Sequence, residues 1–197
     1  MKRTSYNGLL HFVWAMTLAA FFSGCQYDPF AHTYTTAKPD ESKIAGNYQL
    51  VMQTLTTNGL AEFSGQLPSV ELRADGTFSA TNIPPWGISF PDTNFFTTLV
   101  SGSGNWSIES VGSVDNGTTR QTMWGLRLDP PSGKAVFDFP KLMGTNSPYG
   151  LIFTLGDPDS GDAMIFGRAM PDGKVTHPDL AGPPDFVGVV LFLCGFL

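Results

Sequence analysis

Residues 69–81, which read SVELRADGTFSAT, indicate the fold class of the whole chain. Two β-rich runs, residues 69–73 and 77–81, flank the sequence Ala74-Asp75-Gly76. An Asp-Gly pair between such runs is a strong β-hairpin signal, because glycine accepts the positive φ angle that the turn requires. The stretch therefore predicts two antiparallel strands joined by a tight turn.

Similar short runs recur on both sides of this hairpin, and turn-forming residues separate them. Glycine and proline together account for 37 of the 197 residues, a share that argues against a helical bundle. Six further strands are predicted over residues 47–57, 97–110, 121–129, 135–139, 149–155 and 163–168. Evenly spaced short strands with hairpin turns are typical of β-barrels and β-sandwiches.

We favour an antiparallel up-and-down β-barrel of about eight strands, because a closed sheet leaves no exposed strand edges. Period-two spacing in the first predicted strand places Tyr48, Leu50 and Met52 on one face. The interior of such a barrel either is packed with side chains or holds one small ligand. The choice between these two interiors stays open at the level of the sequence.

Two short motifs resemble the strand starts of lipocalin-like (calycin) domains. They are Gly46-Asn47-Tyr48 and Gly104-Asn105-Trp106, each a glycine followed two residues later by an aromatic residue. The resemblance covers about residues 44–169 and implies a lipocalin-like barrel over that range.

The amino terminus has the order of a secretory signal peptide: basic, then apolar, then small residues. Lys2 and Arg3 come first, the most apolar part spans residues 9–22, and Ser23 and Gly24 follow. An uncleaved transmembrane anchor is the alternative, although this apolar part is shorter than the roughly 20 residues that a spanning helix needs.

Phe22-Ser23-Gly24-Cys25 resembles the lipobox of bacterial lipoproteins. The resemblance implies that the Cys25 thiol carries a diacylglycerol and that cleavage falls between Gly24 and Cys25. Two or more acyl chains anchor a protein stably to a membrane. Gln26, in place of the aspartate that favours inner-membrane retention in enterobacteria, indicates an outer-membrane location in a diderm host. An ordinary cysteine behind a plain signal peptide is the alternative.

These signals predict four segments along the chain. Residues 1–24 form a lipoprotein signal peptide, and residues 25–43, with two prolines and little apolar periodicity, form a lipidated flexible tether. Residues 44–169 form the barrel, and residues 170–197 form a loop with an apolar tail. The tail, residues 186–197, is interpreted as a buried final strand, a membrane-touching segment or a partner-binding segment.

Few side chains suggest a binding site. Trp86, Trp106 and Trp124 are candidates to line a cavity for a small apolar ligand, with the barrel core as the alternative. The aspartates of residues 157–162 form a weak candidate for a Ca²⁺ site, with a simple turn as the alternative. They are Asp157, Asp159 and Asp162.

The sequence contains no G-x-S-x-G nucleophile elbow, no phosphate-binding loop and no zinc motif. The formal net charge of −6 disfavours nucleic acid as a partner. We therefore expect no enzymatic activity and no cofactor, with a hydrolase built on carboxylates as a distant alternative. The leading hypothesis is a lipid-anchored protein of the bacterial cell envelope whose barrel binds a small apolar ligand. The alternative is a structural or interaction lipoprotein with a filled barrel, whose loops contact an envelope protein.

Overall fold

The computed structural model describes residues 28–55, 63, 65–85, 99–115, 119–131, 137–156 and 161–177. A 3-10 turn over Ala31–Thr33 and a one-turn helix α1 over Glu41–Ile44 precede eight strands. The strands are β1 Gly46–Gln53, β2 Ser69–Leu72, β3 Thr77–Ile83, β4 Val100–Asp115, β5 Arg120–Asp129, β6 Lys141–Met143, β7 Gly150–Thr154 and β8 Ala163–Arg168.

Each strand pairs antiparallel with the next one along the chain, and β1 pairs antiparallel with β8. The ring of eight strands is thereby closed into an up-and-down barrel. This confirms the predicted all-β fold, including the hairpin between β2 and β3. Gly76 adopts a φ of 81° in that turn, the conformation that the Asp-Gly signal predicts.

The sixth predicted strand, residues 135–139, is corrected where it is described: residues 137–139 form no strand, and residues 135 and 136 lie outside the described residues. The strand that occupies this place in the barrel is β6, Lys141–Met143, and Phe137 makes an isolated bridge with Pro85. Phe137 is buried and packs edge-to-face on Phe78, with ring centroids 5.5 Å apart. The apolar character of Phe137 therefore reflects its burial against Phe78, and a three-residue strand such as β6 is too short to show a period of two.

The barrel interior holds a single apolar cluster built from alternate residues of the strands. Tyr48 and Leu50 point into it, as their spacing predicts, but Met52 does not. The pairing of β1 with β8 shifts register between Leu50 and Met52, which marks a β-bulge. The bulge turns Met52 to the outer side of the wall, where it packs with Val51 against a second cluster.

The barrel has two ends, which alternate along the chain because successive strands run in opposite directions. The β1–β2, β3–β4, β5–β6 and β7–β8 connections lie at one end, here named the long-loop end. The remaining connections and helix α1 lie at the other, here named the α1 end. Ile44 of α1 is fully buried in the interior cluster, and its carbonyl accepts a hydrogen bond of 2.7 Å from the Tyr48 hydroxyl.

Residues 28–43 are not the predicted free tether, because they lie against the barrel. Tyr34 bridges antiparallel to Met143 on the outer face of β6, and it is only 3% exposed. The first eight of them, residues 28–35, are named the wall segment below. The sequence before residue 28 lies outside the described residues.

The wall segment completes a thin part of the sheet. β5 and β6 share one register pair, Gly125 with Lys141, whereas β4 and β5 share ten. Next to that pair, from Trp124 on β5 and Leu142 on β6 onward, the wall segment lies between the two strands. The Thr35 amide donates to the Leu142 carbonyl at 2.9 Å, and the Thr35 carbonyl accepts from the Trp124 amide at 2.9 Å. The Gly144 amide donates to the Thr33 carbonyl at 2.8 Å.

Candidate functional site

A polar cluster joins the wall segment to the outer face of the barrel. Period-two alternation turns Leu142 of β6 into the interior and leaves Lys141 and Met143 on the outer face. Tyr34 bridges to Met143, which brings its ring over the lysine. Asp28 completes the group, here named the outer-wall cluster, together with Thr154 of β7.

The geometry of the outer-wall cluster is compact. The Tyr34 hydroxyl donates to Asp28 Oδ2 at 2.6 Å. The Lys141 ammonium lies 3.0 Å from Thr154 Oγ1, 3.3 Å from the Tyr34 hydroxyl and 3.7 Å from Asp28 Oδ2. It also lies 4.8 Å from the centre of the Tyr34 ring, within cation–π range.

Burial sets the protonation behaviour of this cluster. It lowers the pKa of Lys141, although Asp28 and Asp138 act in the opposite direction. It also raises the pKa of the Tyr34 phenol far above its ordinary value, with the hydrogen bond to Asp28 adding to the effect. The phenol therefore stays protonated even well above its ordinary pKa, and its O–H donates a hydrogen bond to the carboxylate. The cluster's polar groups bond to one another, and in this way they fasten the wall segment to the outer face of the barrel.

An apolar cluster lies under the wall segment beside these polar groups. Tyr34, Met143, Ile152, Ala163 and Ile165 form it, and none is more than 3% exposed. Phe30 and Ala31 of the wall segment pack against its border. The wall segment therefore covers an apolar strip of the outer wall as well as completing the sheet.

The described interior of the barrel is filled by side chains. A side chain with no exposed surface touches neither bulk solvent nor a cavity that admits water. Eleven interior residues are in this state, and the other members of the interior cluster are at most 7% exposed. The eleven are Ile44, Tyr48, Phe78, Ile83, Leu126, Leu142, Leu151, Phe153, Leu155, Met164 and Phe166.

The three predicted tryptophans have different positions. Trp106 is buried, and its indole donates to the Arg73 carbonyl at 2.9 Å, which ties β4 to the β2–β3 turn. Trp124 is partly buried against the interior cluster, and the Lys38 ammonium lies 5.2 Å from its ring centre. Trp86 lies outside the described residues. The structure thus brings Trp106 and Trp124 to the protein core and shows no described cavity between them.

The predicted aspartate site is only partly visible. Asp162 is half-buried at the end of the β7–β8 connection, and its carbonyl accepts from the Leu155 amide at 2.8 Å. Asp157 and Asp159 lie outside the described residues, as do Gly24, Cys25 and the apolar tail. Among the residues that the structure describes, no three His, Cys, Asp or Glu side chains are placed to share a metal ion.

An open surface depression of about 440 Å³ lies outside the barrel, beside the turn that follows β8. Its lining includes Met170, Lys174 and Val175, and it is mostly apolar. Met170 is 39% exposed there. This depression is open to solvent and separate from the barrel interior, where the sequence predicted a ligand.

Sequence reasoning missed Asp28, Tyr34 and Lys141. One signal was present in His32-Thr33-Tyr34-Thr35-Thr36, where aromatic and β-branched residues are typical of a strand. The two neighbouring prolines, Pro29 and Pro39, favour a tether instead. Nothing local marks Lys141 as the partner of this run.

The described part of the chain contains no helix with the length and apolar character to cross a bilayer. Comparison of the chain with protein-family models, with curated proteins and with solved structures finds no match. The site is therefore interpreted from its own geometry and from the sequence motifs alone.

Proposed function

We propose that the chain is a non-enzymatic, lipid-anchored protein of the bacterial cell envelope whose filled barrel presents its surface to a protein partner. The observation that carries the proposal is the packed interior, since a barrel that is filled wherever it is described leaves its exterior for recognition. The Phe22-Ser23-Gly24-Cys25 motif supports the anchor. In this proposal the anchored protein resides at the outer membrane of a diderm host.

The packed interior favours a partner over an internal ligand for an energetic reason. A ligand inside the described barrel would have to displace side chains such as Phe153 and Phe166, whose rings pack edge-to-face at 5.3 Å. Interiors are close-packed, and forcing extra volume into them costs about 1–3 kcal/mol even for a single methylene group or two. A small apolar ligand is therefore the second hypothesis, and it needs space beyond the described interior.

The anchor is tested by replacing the acceptor cysteine. In a bacterial host, Cys25→Ala is expected to abolish incorporation of labelled palmitate and to leave an unprocessed precursor. Cys194→Ala is the matched control and should be labelled and processed like the unmodified chain. Palmitate on the Cys25→Ala variant, or a bare thiol at Cys25 in the mature native protein, contradicts the proposal.

The interior is tested by native mass spectrometry of the lipidated full chain. We expect a single species, in which the polypeptide and its covalent acyl groups account for the whole mass. An additional non-covalent, lipid-sized mass at one equivalent would favour the ligand hypothesis. Extraction into two chemically different detergents separates a bound ligand, which keeps its mass, from an adhering detergent molecule, which does not.

A further inference from the structure

We propose that the anchored protein holds the long-loop end of its barrel against the membrane surface and directs the α1 end away from it. The partner of the long-loop end is thus a lipid surface. This inference rests on the proposed lipidation of Cys25. It adds an orientation that the anchor alone does not supply, because a long free tether would leave the barrel free to turn.

The distance from the anchor to the folded barrel is short. Three peptide steps separate Cys25 from Asp28, the first described residue. A fully extended chain advances at most about 3.6 Å per residue, so Asp28 lies within about 11 Å of the acylated cysteine. The barrel rim near Asp28 therefore stays within a similar distance of the lipid headgroups.

Asp28 lies at the long-loop end. Its carboxylate is 3.7 Å from the ammonium of Lys141, the residue that opens β6 directly after the β5–β6 connection. The next residue, Pro29, lies beside the β7–β8 connection, where a Cβ added to Gly161 would be 3.3 Å from Pro29 Cγ. Both connections belong to the long-loop end.

Asp28 is also fastened in that position. Its Oδ2 accepts from the Tyr34 hydroxyl and its Oδ1 accepts from the Phe30 amide at 2.9 Å. Beyond it, the backbone bonds of Thr33 and Thr35 hold the wall segment between β5 and β6. The wall segment cannot detach from the barrel without breaking these bonds. The connection between Cys25 and the folded barrel therefore stays short.

The α1 end then projects into the aqueous phase. A strand of seven residues, the length of β3, spans about 23 Å, and the strand tilt of a barrel reduces its height to roughly 16–19 Å. The α1 end carries exposed ion pairs between Asp40 and Lys43 and between Asp172 and Lys174. Such charges are well hydrated, which fits an end that faces water and the protein partner proposed above.

The experiment uses single labels at opposite ends of β1. Thr54 lies just after β1, is exposed, and donates to the Gly161 carbonyl at 2.9 Å, so it marks the long-loop end near Asp28. Ser42 lies in α1, is exposed, and marks the other end. Thr54→Cys and Ser42→Cys are made separately in a Cys194→Ser background of the full chain, labelled with a fluorophore, and reconstituted in phosphatidylcholine vesicles that carry headgroup spin-labelled lipid.

We expect the label at position 54 to be quenched several-fold more strongly than the label at position 42. Insertion of ten glycine and serine residues between Tyr27 and Asp28 should reduce the quenching at position 54 toward the value at position 42. Equal quenching of the two labels without the insertion, or stronger quenching at position 42, overturns the inference.

Mass spectrometry of the same reconstituted sample separates the two ways to fail. If Cys25 carries acyl groups and the quenching pattern is equal or reversed, the orientation is wrong and the anchor stands. If Cys25 carries no acyl group, the proposed anchor is wrong, and the orientation fails with it. Circular dichroism of each labelled variant is expected to match that of the unlabelled chain, which ties the quenching to the native barrel.

Discussion

The two seams on either side of β5 are built differently. Toward β4 the strand makes ten register pairs, so the sheet there is held by its own ladder. Toward β6 it makes one, and Thr33–Thr35 from the start of the described chain supplies the missing backbone partners. The broad seam is a local hairpin, whereas the narrow seam depends on a segment roughly a hundred residues away, as the bond from Thr35 Oγ1 to the Gly144 carbonyl illustrates.

This difference indicates that the wall segment belongs to the barrel and is not a free tether. An open stretch between β5 and β6 would expose unpaired N–H and C=O groups, which invite association with other chains. The wall segment removes that exposure and covers the apolar outer cluster in the same step. The two seams should therefore respond differently to substitution.

Replacing the wall segment, residues 28–35, with a glycine-serine sequence of equal length is expected to have the largest effect. The change removes the backbone partners of the narrow seam and uncovers Met143, Ile152 and Ile165, which are now fully buried. Each such side chain contributes about 1.5–3 kcal/mol when buried. The replacement also removes the buried Tyr34 ring and the seam bonds of Thr33 and Thr35. The freed segment regains conformational entropy that offsets much of these losses, so we expect a net loss of several kcal/mol.

Urea unfolding and binding of an apolar dye measure that loss. The matched control replaces the exposed residues 145–147 of the β6–β7 connection with glycine and serine, and it should change the urea midpoint little. An unchanged midpoint for the wall-segment replacement would mean that the narrow seam holds without it.

Ile108→Ala tests the broad seam. Ile108 pairs with Leu126 across β4 and β5 and points into the interior cluster. Truncation of a buried isoleucine to alanine costs about 2–5 kcal/mol. We expect urea unfolding to show this loss. The Thr35 amide should lose no more protection from hydrogen exchange than the other protected amides lose. Selective loss of protection at Thr35 would show that the two seams are coupled. Ser107→Ala, on the opposite face of β4, is the control.

Thr35→Val tests one side-chain bond at the narrow seam. The Thr35 hydroxyl donates to the Gly144 carbonyl at 2.6 Å, and Thr35 is 1% exposed. Valine keeps the shape and removes the donor, which is expected to cost about 1 kcal/mol. The neighbouring Thr36 is exposed, so Thr36→Val is the matched control and should be nearly neutral. Equal effects of the two substitutions in urea unfolding would mean that the hydrogen bond between Thr35 and Gly144 does not contribute to stability.

Tyr48→Phe tests a buried group of the barrel interior through the pH dependence of stability. Burial raises the pKa of Tyr48 to about 12, with Arg168 acting against it, so the folded state holds this proton more tightly than the unfolded chain. The stability that this proton provides is complete below pH 10 and is lost as the pH rises from 10 to 12. Phenylalanine cannot ionise, and it loses the bond to the Ile44 carbonyl at every pH.

The Tyr48→Phe variant should therefore be less stable than the unmodified chain by about 1 kcal/mol at pH 7. That difference should shrink as the pH rises from 10 to 12, and urea unfolding at several pH values measures it. A difference that stays constant over this range would mean that Tyr48 titrates at its ordinary value. Tyr34→Phe is the comparison on the wall, where burial and Asp28 both raise the pKa.

Local sequence patterns were sufficient to predict most strands of the barrel, but they did not predict the wall segment that completes it. The β2–β3 hairpin follows from Asp75-Gly76, and the faces of β1 follow from period-two spacing up to the bulge. The bulge itself, the three residues of β6 and the insertion of Thr33–Thr35 depend on partners far away along the chain. A period or a turn signal reports on neighbours in sequence, so it carries no information about those partners.

The candidate site divides in the same way. The lipobox-like motif is a contiguous string and could be recognised at once, and its lipidation remains a prediction. The outer-wall cluster is assembled from Asp28, Tyr34, Lys141 and Thr154, whose chemistry arises only when the barrel has closed. Each of these side chains is unremarkable when it is considered alone in the sequence.

The insertion of Thr33–Thr35 between β5 and β6 has a kinetic consequence. The earliest described part of the chain must wait for Trp124 and Leu142 to be synthesised before it finds its hydrogen-bond partners, and β1 must wait for β8. Topologies dominated by such distant pairings fold in about milliseconds to seconds, far more slowly than helical bundles of similar stability. The ring can therefore close only after β8, Ala163–Arg168, has been synthesised, although its first strand begins at Gly46.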